Sequence, residues 1–104
     1  MPVGPQSHTV RVGQDGLTFS PANVTIHVGD TVHWVWSTSG HSVVSGTNGM
    51  ADGRFCSPGD MHCDAPQLSN TGTTYDHTFT AAGTFPYYCS VHFSFGMTGT
   101  VKVQ

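Results

Sequence analysis

Thr31-Val32-His33-Trp34-Val35-Trp36 decides the fold. Val32, Trp34 and Trp36 recur at period two and His33 alternates against them, the pattern of an extended segment buried on one face. Segments of the same kind lie on both sides. Upstream, His8-Thr9-Val10-Arg11-Val12 alternates before the turn Gly13-Gln14-Asp15-Gly16. Leu17-Thr18-Phe19 leads into Pro21, and Val24, Ile26 and Val28 share a face before the turn signal Gly29-Asp30. Downstream, His41 to Ser45 reads as a short strand, and Tyr75 to Phe79 alternates before Ala81-Ala82-Gly83. Phe85, Tyr87 and Cys89 share one face with Tyr88 on the other, and Met97, Gly99, Val101 and Val103 oppose Thr98, Thr100 and Lys102. Seven or eight short strands at this spacing predict an all-β fold, a two-sheet antiparallel sandwich.

The composition agrees. The chain has 104 residues, enough for one domain over 1–104, with 13 Gly and 6 Pro to punctuate short strands. It has no Glu and a single Lys, so the usual helix formers are scarce. A net charge of −3 with only three Lys plus Arg excludes a nucleic-acid footprint. No apolar run approaches the roughly 20 residues of a membrane span. Met1-Pro2-Val3-Gly4-Pro5 is polar and broken by Pro, so no export signal is read there, and Met1 is expected to be a start residue set before a mature domain.

Three cysteines divide as two plus one. Cys56 and Cys63 flank the turn-rich Ser57-Pro58-Gly59-Asp60-Met61-His62, a loop that a disulfide can close, which places the chain in an oxidising, exported setting. The alternative is a second metal site, because Met61, His62 and Cys63 are consecutive soft ligands. From Gly46 to Thr73 no periodicity is visible, and so long a loop in a small domain is functional or pinned by a cross-link.

Cys89 is left over. It opens the stretch Cys89-Ser90-Val91-His92-Phe93-Ser94-Phe95-Gly96-Met97, a thiol, an imidazole and a thioether within nine residues where one strand ends and the next begins. Thiolate and thioether select soft metals, imidazole suits copper, and a two-His, one-Cys site with a weak axial Met is the arrangement of electron-transfer copper. The second imidazole must come from elsewhere. His41, at a strand start after a Gly-containing loop, is the best candidate. His8, His27, His33, His62 and His77 lack a second ligand at a diagnostic spacing; His27 and His33 fall on the polar faces of their strands, and His77 shares a face with Tyr75 and Phe79.

With these residues in hand, the chain resembles the cupredoxins, and within them plastocyanin and its bacterial relatives. The resemblance runs through Phe19-Ser20-Pro21, Gly29-Asp30-Thr31-Val32 with Trp34, Gly40-His41-Ser42-Val43, Gly83-Thr84-Phe85, Tyr87-Tyr88-Cys89, the Cys-x2-His-x4-Met loop and Gly99-Thr100-Val101. It implies a Greek-key sandwich, one type 1 copper ion held by His41, Cys89, His92 and Met97, and one-electron transfer between larger redox partners met transiently by a monomer. Ser42 and Val91 stand where plastocyanins commonly have Asn and Pro, which alters the surroundings of the thiolate and leaves its ligation intact. In the family the second ligand His lies near the surface inside an apolar patch. Phe93, Phe95 and Tyr88 are therefore expected to form the electron-transfer surface, with Phe93, directly after His92, the foremost and Phe95 the more prone to fold inward.

Other functions are weighed against the same residues. An oxidase or reductase would need the His-x-His pairs of a catalytic copper cluster, and the chain has none, which leaves the alternative of an electron-transfer module of a larger redox enzyme. Copper storage or delivery would use exposed Met and His clusters, hinted at by Met50, Met61 and His62. A metal-free adhesive sandwich leaves the ligand spacing without a reason. An electron carrier, located in a periplasm, at a cell surface or outside the cell, accounts for the most residues.

Overall fold

The computed structural model describes residues 4–61 and 63–104. The expectations that rest on Met1 and on His62 lie outside them. Apolar–polar alternation makes β1 (Ser7–Val12), which buries Val10 and Val12. The short β2 (Phe19–Ser20) and β3 (Asn23–Ile26) follow, and Val28 lies exposed past the end of β3 rather than on its buried face. β4 (Thr31–Trp36) buries Val32, Trp34 and Trp36 as its period demands. β5 (Val44–Thr47), β6 (Met50–Cys56), β7 (Thr74–Thr78), β8 (Gly83–Tyr88) and β9 (Thr98–Val103) complete the set.

These strands form two sheets, ordered β2-β1-β4-β7 and β3-β9-β8-β5-β6. The sandwich is as expected, but the pairing is mixed. β1 runs parallel to β4, and β3 parallel to β9, while the other pairs are antiparallel. The reason is connectivity: between β1 and β4 the chain crosses to the other sheet to lay down β3, and a parallel neighbour needs such a crossover. Nine strands are present among the described residues, because β2 and β6 add to the periodic segments. β6 falls inside the stretch 46–73 that shows no alternation. It is an edge strand with only Phe55 and Cys56 buried, so it carries no two-sided hydrophobic signal. The Cys56–Cys63 disulfide closes the loop after it. Asp60, inside that loop, accepts hydrogen bonds from the Cys56 backbone (3.1 Å) and from the Tyr75 hydroxyl.

The two inner faces meet on Trp34. Its ring stacks on Phe55 and Tyr75 at 5.7 and 5.3 Å and takes Tyr87 edge-on at 5.4 Å. Such aromatic pairs add about 0.5–1.5 kcal/mol each beyond area burial. The register then aims the strand ends. Val12 lies beside Trp36 in the parallel pair, so both strands leave the sheet at the same end. Val44 at the start of β5 pairs Tyr88 at the end of β8, which brings His41 and Cys89 out together.

Candidate metal centre

Cys89 follows β8 directly and is fully buried. Its backbone N–H donates to the Met97 carbonyl (3.1 Å), and its carbonyl accepts from Phe93 N–H (3.0 Å). The intervening chain winds into a 3₁₀ turn, Phe93–Phe95, ended by Gly96 at φ 87°. Met97 N–H then donates to the His92 carbonyl (3.2 Å). The loop is thus tied by its own backbone, with Met97 fully buried and bonded to both Cys89 and His92.

His41 is brought to this loop by a different set of bonds. The Trp36 indole N–H donates to its carbonyl (2.9 Å), as does Ser69 N–H (2.9 Å) in an isolated bridge. One residue on, the Ser42 hydroxyl accepts from Ser90 N–H (2.9 Å) and lies 2.8 Å from the Ser90 hydroxyl. Ser42 therefore ties the His41 segment to the Cys89 segment.

The outcome is a cluster. His41, Cys89 and His92 each offer a donor atom within 4.8 Å of the others, the one such group of three or more His, Cys, Asp or Glu among the described residues. Cys89 Sγ lies 3.5 Å from His92 Nδ1, and the two imidazole centroids are 5.1 Å apart. His41 is 4% exposed. Burial first, and the facing His92 second, lower its pKa, which keeps the ring neutral and able to coordinate. Its Nδ1 is buried without a hydrogen-bond partner, while Nε2 lies 3.0 Å from Thr38 Oγ1. A buried nitrogen with no partner is costly unless it has another use. Two imidazoles and a thiol with one nitrogen left over fit a copper ion.

The remaining described histidines are engaged elsewhere: His8 with Asp30 at 3.0 Å, His33 with Asp76, and His77 against the Phe55 and Phe79 rings. His27 is exposed, one residue past the end of β3.

Residues 6–104 match the family described as copper binding proteins, plastocyanin/azurin family. The chain belongs to that family. This cupredoxin is 35% identical over 100 residues to a plastocyanin from Scenedesmus fuscus, covering 92% of the chain and 98% of the relative. It is 32% identical to a halocyanin from Natronomonas pharaonis over 88% of the chain, and it spans about half (52%) of that protein. A purple cupredoxin from Nitrosopumilus maritimus superposes with a TM-score of 0.72 at 29% identity, covering 93% of this chain and 99% of its own. The family and the donor cluster make the chain a type 1 copper electron-transfer protein.

Of the three expected surface residues, Tyr88 is corrected and the order of the two Phe is reversed. Tyr88 is 3% exposed, packed with Val44, Cys56, Cys63 and Phe93. Phe93 is half-buried, its ring 5.6 Å from Tyr88 and beneath the β5–β6 hairpin. Gly49 at the hairpin tip has φ 74°, and a Cβ there would come within 2.5 Å of the Phe93 ring. Phe95 instead points outward at 72% exposure, 6.5 Å from the His92 ring. In a 3₁₀ turn of three residues, positions two apart face different directions. The sequence carries no signal for Thr38, Ser69 or Ser90: Ser69 and Ser90 reach the site from distant segments, and Thr38 is anchored on the distant Gly13.

Proposed function

We propose that this chain acts as a mobile one-electron carrier and not as an enzyme, with 1–104 as a single copper-binding domain in which His41, Cys89, His92 and the thioether of Met97 would hold the copper. When bound, copper supplies a one-electron Cu(I)/Cu(II) couple. The protein's part is to hold the donors fixed and dry. The cluster His41–Cys89–His92 at one end of a rigid sandwich carries this reading. Backbone bonds on both sides of the ligand loop leave the donors little freedom, which favours a site that changes little between oxidation states. The burial of Met97, and its backbone hydrogen bonds to Cys89 and His92, support its role as the fourth, thioether ligand.

Phe95 and Val91, both exposed in the ligand loop beside the half-buried His92, support docking of this end on larger redox proteins. Exposed apolar residues grouped around a site mark a contact face, and a small one lets a monomeric carrier leave its partner quickly. The Cys56–Cys63 disulfide supports an exported location, in a periplasm, at a cell surface or outside the cell.

The experiment is Phe95→Asp in the copper-loaded chain. Electron exchange with a redox protein partner slows at least severalfold while the visible spectrum and reduction potential hold. An unchanged rate contradicts a docking role for this end.

A further inference from the structure

We propose that Thr38 is a positioning residue for the metal site. Its hydroxyl, anchored on the Gly13 carbonyl, fixes His41 in the tautomer that carries its proton on Nε2 and turns the Nδ1 lone pair to the metal. The inference deepens the copper reading and rests on His41 being a ligand.

Thr38 Oγ1 lies 3.2 Å from the Gly13 carbonyl oxygen and 3.0 Å from His41 Nε2. A hydroxyl has one proton to give. The carbonyl can only accept, so that proton goes to Gly13. What Thr38 then offers His41 is a lone pair, and Nε2 must bring the hydrogen. A neutral imidazole protonated on Nε2 has its free lone pair on Nδ1. Nδ1 is the atom that the fold buries with no hydrogen-bond partner. The opposite tautomer would bury an N–H there with nothing to accept it, and would leave Nε2 without a proton to give Thr38. Both ends of the ring therefore select the same state.

Gly13 makes the arrangement rigid. Its N–H donates to the Thr18 carbonyl (2.9 Å), and the neighbouring Val12 carbonyl accepts from Ser37 N–H (2.9 Å), so the carbonyl that anchors Thr38 is set by β1 and β4. Gly13 has φ 78°, and a Cβ on it would lie 2.1 Å from Thr38 Oγ1 and 2.7 Å from His41 Nε2. The peptide itself packs on the imidazole edge, and only glycine allows that approach. Metal-binding histidines depend on such an outer partner for ring orientation and basicity. Here the partner is a side chain at the surface, three residues before the ligand. It can be changed without opening the core.

The test compares wild type, Thr38→Val, which keeps the shape and removes the hydroxyl, and Thr38→Ser, which restores it. Long-range proton–nitrogen NMR on the metal-free protein reads the His41 tautomer. Wild type and Thr38→Ser hold the Nε2–H form, and Thr38→Val shows a mixture. Copper affinity, measured by competition with a chelator, falls about 10- to 100-fold in Thr38→Val and recovers in Thr38→Ser, while the metal-free melting temperatures of all three stay close. A Thr38→Val protein that keeps a single Nε2–H tautomer and wild-type copper affinity overturns the proposal. Failure of the underlying copper reading is separate: it appears as His41→Ala binding copper as tightly as wild type, whatever Thr38→Val does.

Discussion

Two buried titratable side chains at opposite ends of the sandwich are treated in opposite ways. Asp30, 5% exposed before β4, has both carboxylate oxygens partnered: it accepts from Gln6 N–H (2.9 Å), His27 N–H (3.1 Å) and the His8 ring (3.0 Å). His41, 4% exposed at the other end, has one ring nitrogen held by Thr38 and the other left free. A carboxylate whose two oxygens are engaged by three donors stitches Gln6 and His8 to the β3–β4 turn. An imidazole with one nitrogen free is held in place and is ready to bind. The difference separates what the fold uses for stability from what it reserves for chemistry.

The sharpest way to break this comparison is to exchange the consequences. His41→Ala is expected to lower copper affinity by more than the roughly 100-fold upper range for losing an outer partner of a ligand. Asp30→Ala is expected to leave copper affinity unchanged, while lowering the metal-free melting temperature by several degrees and by more than His41→Ala does. Chelator competition and calorimetry on the two variants read both quantities. If Asp30→Ala weakens copper binding as much as His41→Ala, the two ends are not independent.

Next in size is the pair of rings in the ligand loop. Phe93, clamped between Tyr88 and the Gly49 turn, belongs to the packing; Phe95 belongs to the surface. Phe93→Ala should cost about half of the ~3–5 kcal/mol of a fully buried Phe, and Phe95→Ala within about 0.5 kcal/mol of nothing. Denaturant unfolding of the metal-free proteins distinguishes them, and equal costs would return Phe93 to the surface.

The smallest effect is a pH dependence. Backbone hydrogen bonds from Gln6 and then His27, followed by the His8 ring, hold the Asp30 carboxyl down from 3.8 to about 2. The unfolded chain therefore takes up this proton at a higher pH than the folded one. The stability that Asp30 contributes is complete above about pH 4 and fades as the pH falls through about 2. Melting temperatures between pH 2 and 6 should fall more steeply in wild type than in Asp30→Asn; parallel curves would show that the partnered Asp30 carboxylate adds no stability.

Much of this architecture was legible in the residues because it is written at short range. The period of Val32, Trp34 and Trp36 is a local pattern, and Cys89, His92 and Met97 lie within one loop. His41 was reachable because the loop lacks a second imidazole. The Cys56–Cys63 link followed from an odd cysteine count. What was not legible depends on segments far apart in sequence. The parallel register of Val12 beside Trp36 needs a crossover that no periodicity records. β6 buries too little to alternate. The reversal of Phe93 and Phe95 follows from the 3₁₀ winding between His92 and Met97 and from a hairpin tip more than forty residues away. Thr38 meets Gly13 only because β1 and β4 end side by side.

The central claim is that one copper ion is held through the Cys89 thiolate, and the most direct measurement is titration of the metal-free chain with Cu(II), followed by visible absorption and electron spin resonance. The account predicts saturation at one ion per chain, with intense thiolate-to-copper absorption that Cys89→Ser abolishes. Colour that survives in Cys89→Ser, or a wild-type chain that binds Cu(II) without that absorption, would contradict it.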